Sequence, residues 1–166
     1  MNYKTIHIED LGVTAEYAFF RPKEGVGEWH VMLHVESRCE NFEGQLNRVY
    51  EAENRLTQMS GFGGAQYVLK RYFLSDSTNQ QPFMREEPAL AISVIQQQPL
   101  DGSKVAAWLY MVSDTKLTVE HGAVVGEHNG YRHLWKMGMT SNQGDSAQQT
   151  ETILNEYEQV LRKFGA

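Results

Sequence analysis

Residues 28–37, EWHVMLHVES, alternate cleanly enough to define one strand and both of its faces. Successive side chains of a strand project to opposite sides. Trp29, Val31, Leu33 and Val35 therefore share an apolar face, and His30, Met32, His34 and Glu36 share the other. A strand with one apolar face needs a cover for it, and the next segment reads as one. In NFEGQLNRVYEAENRLTQMSG, the residues Leu46, Val49, Tyr50, Glu53 and Leu56 fall on one side of a helix, with Glu53 the discordant member. Asn41 is placed to cap this helix, and Gly61 with the following FGG to end it. Glu51 and Arg55 stand four apart, in the favourable order for a surface ion pair.

The flanking segments supply more strands. Tyr3 to Ile8 alternate, and TAEYAFFR at 14–21 is a second candidate, ended by Pro22 and the Gly25/Gly27 loop. GAQYVLKRYFLSD gives a strand over about 65–74 that is largely apolar on both faces and interrupted by Lys70 and Arg71. It predicts an interior strand or a subunit contact. SDSTNQQPFMREEP reads as a loop or a short helix. ALAISVIQ and SKVAAWLYMV read as strands joined by the turn QPLDG, where Pro99 removes a donor and Asp101-Gly102 supplies turn chemistry. KLTVEHGAVV, a GEHNG turn with Asn129-Gly130, and YRHLWKMGMTS follow. A final helix over about 146–164 carries the stripe Ile153, Leu154, Tyr157, Val160, Leu161 and Phe164, with Asp145 or Ser146 as its cap. The fold class is α+β: a mixed sheet with two long helices packed on one face.

Residues 32–61 and 136–165 run parallel at an offset of 104: strand, polar loop, helix, glycine. Gln45 matches Gln149, Val49 matches Ile153, Glu53 matches Tyr157 and Leu56 matches Val160. The match fits a duplication, and it equally fits the common periodicity of any strand-loop-helix unit.

The net charge of −6, with basic residues scattered and paired only at Lys70-Arg71 and Arg162-Lys163, argues against nucleic acid as a partner. A single cysteine, Cys39, excludes an intrachain disulfide. It is read as a passive thiol beside Arg38, although an adjacent cation favours thiolate. The start lacks a leader pattern and no apolar run approaches the ~20 residues of a span, so no membrane partner and a cytoplasmic location are expected. His30 and His34 lie ~13 Å apart along one strand, too far to chelate one metal. His121, His128 and His133, with Glu120 and Glu127, make a site only if the late hairpin folds them together; otherwise they are turn histidines in solvent. Gly61-Phe62-Gly63-Gly64 follows a helix instead of preceding one and reads as a turn, not a phosphate loop.

The order of these features resembles the RidA/YjgF family, whose fold is chorismate-mutase-like. The residues that carry the likeness are a strand ending in Ser37, a helix with Gln45 early and Gly61 at its end, then YVLKRYFLSD, ALAISVIQQQP and VAAWLYMV. The late stretch SNQGDSAQQTETILNEYEQVLRKFG, with Gln149, Thr150, Asn155, Val160 and Gly165, resembles the family again. The resemblance implies a RidA-like module at 1–113 and a C-terminal extension at 114–166, a hairpin plus helix, like the start of a second module. It further implies a homotrimer with small-molecule pockets between subunits, no metal and no cofactor. The implied activity is hydrolysis of enamine or imine metabolites to keto acids and ammonia; other members are endoribonucleases or translation inhibitors. Matched to the family's pocket, Gln97 is the hydrogen-bond clamp, with Tyr17 and Ser37 beside it; Trp108 is a candidate wall by its aromatic chemistry, and Arg71, a charge in an otherwise apolar strand, either pairs with an acid across a subunit contact or faces the pocket as a carboxylate partner. Gln97 stands where active members carry an arginine, and the strand at 105–110 has no carboxylate where they carry glutamates. An amide donates and accepts hydrogen bonds without charge. Two outcomes follow: an open cleft beside Gln97 that binds a ligand, or a structural or regulatory trimer whose pocket Trp108 and its neighbours fill.

Overall fold

The computed structural model describes residues 2–23, 25–38, 40–83, 91–128 and 130–165. Cys39, Asn129 and the stretch 84–90 lie outside the described residues. The chain is α+β. Strands β1 (Asn2–Ile8), β2 (Val13–Phe20) and β3 (Glu28–Val35) form an antiparallel meander. Helix α1 (Phe42–Gln58) follows, then β4 (Gln66–Leu74), a 3-10 segment (Ser77–Phe83), β5 (Ala91–Gln96) and β6 (Val105–Val112). These strands make one mixed sheet in the order β1-β2-β3-β6-β4-β5, in which only β4 and β5 run parallel. Strands β7 (Leu117–Glu120), β8 (Ala123–His128) and β9 (Tyr131–Trp135) form a separate antiparallel sheet, and helix α2 (Ser146–Lys163) ends the chain.

Helix α1 covers the face that alternation assigns to it. Asn41 caps it, its side chain accepting from the Gly44 amide at 2.9 Å. Phe42, Leu46, Val49, Ala52 and Leu56 are buried against Val31, Leu33, Val35, Val105, Ala107, Leu109 and Met111. Glu53, discordant in sequence, is buried too. Its carboxylate accepts from the Tyr72 hydroxyl at 2.9 Å and pairs with Lys70 at 2.8 Å, so the two residues that break the patterns of helix and strand satisfy each other. Burial of an ion is tolerable only with partners of this kind.

Three expectations change. First, β5 and β6 do not pair with each other; both pair with β4, on its opposite edges. The reason is burial: β6 is covered on both faces except at Trp108 and needs two neighbours, whereas β5 is only half-buried and takes the edge. Second, KLTVEHGAVV is not continuous. His121 and Gly122 both adopt positive φ, 51° and 72°, and turn the chain into the β7–β8 hairpin. Third, only α1 packs on a sheet face. Helix α2 has a reciprocal capping box between Asp145 and Gln148 but buries none of its residues, and its stripe stays half or fully exposed. The small sheet offers α2 little cover, because Val124, Leu117 and Trp135 are already packed against Val68, Leu69, Tyr110 and Val112 of the large sheet.

Candidate functional site

The large sheet's face away from α1 is organised in rows set by strand register. His30, Tyr110 and Leu69 make one row across β3, β6 and β4; Met32, Trp108 and Arg71 the next; His34, Ala106 and Phe73 the third. The small sheet covers the first row, where Tyr110 and Leu69 join its core. The third row is open. Its central residue is alanine between an imidazole and a phenyl ring, so the sheet surface is indented there. The connection from β5 to β6 crosses this end of the sheet and raises a wall of Gln97, Gln98, Pro99, Leu100 and Asp101. Together with Met32, His34, Phe73 and Ala106 they enclose a cavity of about 340 Å³.

The wall is anchored by its own turn chemistry. The Gln97 amide donates to the Leu74 carbonyl at 2.9 Å, and the Asp101 carboxylate accepts from the Ser103 amide at 2.9 Å. Gly102, at φ 80°, closes the turn with a bond to Pro99. This anchoring aims the second Asp101 oxygen at His34, 3.8 Å from Nδ1, while Glu16 of β2 stands 3.7 Å from Nε2. Neither distance is a hydrogen bond. His34 thus sits between two carboxylates with hydrogen-bonding capacity to spare, at the edge of an otherwise apolar cavity. An imidazole so placed can take or give a proton.

Of the residues singled out from sequence, Gln97 lines this cavity. Trp108 and Arg71 occur together in the adjoining row, the guanidinium 5.4 Å over the indole ring, with Trp108 also stacked 5.9 Å from His30. Among the described residues Arg71 faces an aromatic ring and not an acid, and its buried Nε has no partner there. Tyr17 lies on the other side of the sheet, buried beside Phe62 with ring centroids 4.9 Å apart. Ser37 is exposed in the loop after β3. Neither lines the cavity. His34, Asp101, Glu16, Met32, Phe73 and Ala106 were not anticipated there. Two signals existed: the outward phase of Met32 and His34 on β3, and a small residue two positions before Trp108.

The late histidines divide. His128 and His133 stack at 3.8 Å, with Trp135 continuing the stack 5.5 Å from His133, while His121 lies apart, edge-on to Phe164 at 5.3 Å. His128 is buried, neither ring nitrogen has a hydrogen-bond partner among the described residues, and its Nδ1 is 3.9 Å from Glu28. Burial, then the neighbouring His133, pushes the His128 pKa down, and Glu28 offsets part of this. Tyr110 donates to Glu28 at 2.9 Å, and burial together with that carboxylate raises its hydroxyl pKa.

No family model, curated protein or solved structure matches the chain. Among the described residues no helix is long and apolar enough to cross a membrane.

Proposed function

We propose that residues 1–113 form a RidA/YjgF-type module that takes a small planar metabolite into the cavity beside Gln97 and adds water to its C=N group without a metal. One observation carries the proposal: His34, set between Glu16 and Asp101 and without a hydrogen bond among the described residues, borders a cavity of about 340 Å³ with largely apolar walls. Convergence of a few polar groups on a mostly apolar concavity is the ordinary design of a small-molecule site. The volume is ample for one ring, since an apolar cavity of ~150 Å³ holds benzene. The cavity is open beside Gln97, and Trp108 does not line it. This supports a ligand site over a trimer with a closed pocket. Leu100, fully exposed on the cavity wall, supports a neighbouring copy as the cover of the site, as in a homotrimer.

In the proposed reaction, water adds to the imine carbon and gives a proton to His34. The C–N bond then breaks with its electron pair on nitrogen. Both water protons end on the departing ammonia, the first carried by His34, and a carbonyl remains. The test is ammonia release from freshly generated imines. On an imine lacking a carboxylate the parent accelerates release and His34→Ala does not. On 2-aminoacrylate the parent is slow, and Gln97→Arg, which restores a fork for the carboxylate, is faster by about tenfold or more. A parent indistinguishable from buffer on both substrates refutes the hydrolase reading; a fast parent on 2-aminoacrylate refutes the role given to Gln97.

A further inference from the structure

We infer that the cavity selects neutral or cationic C–N compounds, of amide or amidinium type, and rejects carboxylates. The inference rests on the reading of this cavity as a small-molecule site. Its basis is the sign of the groups around the space. Among the described residues the cavity is lined by no lysine or arginine, and the one formally charged residue in its wall is Asp101. Behind His34 stands a second carboxylate, Glu16. Both carboxylates are partly exposed, so water screens them in part, while the apolar walls of Met32, Phe73, Pro99, Leu100 and Ala106 supply no opposing charge.

Arg71 shares the face but does not reverse this sign. It is two residues along β4 from Phe73, about 7 Å by strand geometry. Its guanidinium is held over the Trp108 ring at 5.4 Å instead of reaching the cavity. Gln97 offers a planar amide edge that pairs with another amide or with an amidinium. A ligand with two N–H groups on one carbon can donate to the Gln97 oxygen and to Asp101. A carboxylate ligand meets Asp101 as a like charge, with no guanidinium to compensate.

The test titrates the full chain with benzamidine, benzamide and benzoate, matched in shape and differing in charge, by calorimetry at low salt and mildly alkaline pH. Benzamidine binds tightest, by about tenfold over benzoate or more, as expected for reversing a ligand charge beside a partly exposed carboxylate at low salt. Asp101→Asn keeps the acceptor for the Ser103 amide, so the turn survives, and it removes the preference for benzamidine over benzamide. Gln97→Arg raises benzoate affinity about ten- to a hundredfold. Benzoate binding as tightly as benzamidine overturns the charge selection and leaves the site standing. A benzoate preference abolished by Arg71→Met overturns it too, and gives the anion role to that guanidinium. Failure of all three to bind at millimolar concentration overturns both the selection and the site.

Discussion

Lys70→Met is the sharpest perturbation of the scaffold that holds the cavity. Lys70 and Glu53 pair at 2.8 Å with side chains only 12% and 3% exposed, and the Tyr72 hydroxyl donates to the same carboxylate. Methionine replaces the lysine stem but takes the ammonium away from the buried Glu53 carboxylate, to which the Tyr72 hydroxyl still donates. Breaking such a pair from one side costs about 3–5 kcal/mol, far more than an exposed pair is worth. With a urea slope of about 2 kcal/mol/M, a loss near 4 kcal/mol lowers the unfolding midpoint by about 2 M. Adding Glu53→Gln to this variant removes the charge and keeps an acceptor for Tyr72, so at least half of the lost stability returns. The assay is urea unfolding followed by circular dichroism for parent, single and double variants. A shift under about 0.5 M for Lys70→Met, or a double variant no more stable than the single, refutes the claim that this buried pair fastens α1 to β4.

Stability falls on acidification, with His128 contributing. Its folded pKa lies below the free imidazole value of about 6.5, so the unfolded chain binds the proton first and the contribution is lost as pH drops from that value through the folded pKa. Urea midpoints measured at descending pH show a flatter dependence for His128→Phe, which keeps a ring in the stack; equal slopes in parent and variant contradict this. Leu100→Asp places a charge on the exposed leucine of the cavity wall. Light scattering then reports a trimer for the parent and a smaller species for the variant, and a monomeric parent contradicts the shared-pocket arrangement.

Local pattern made most of the scaffold legible. Alternation in 28–35 gave β3 and both of its faces, Asn41 marked the start of α1, and the doubly apolar β4 took the interior place its pattern implies. Pairing of distant segments was not legible. Each side of the QPLDG turn reads as a strand, and only the burial of β6 on both faces decides that it inserts between β3 and β4. Glu53 and Lys70 look like defects until helix and sheet meet. The cavity is nonlocal in the same way. It exists because register places Ala106 between His34 and Phe73, three segments that no local motif links. Asp101 was readable as a turn residue, and its second role beside His34 depends on where that turn crosses the sheet. The stripe of α2 was visible, but its amphipathic pattern alone did not say whether a partner surface lay within the chain.

The central claim is that the indented row beside Gln97 receives a small planar ligand, and an amide chemical-shift map of the chain titrated with benzamidine tests it most directly. The account predicts perturbations concentrated at 32–34, 97–101 and 106, weakened by Asp101→Asn. Perturbations centred instead on the stacked histidines 128 and 133, or spread without a focus, contradict it.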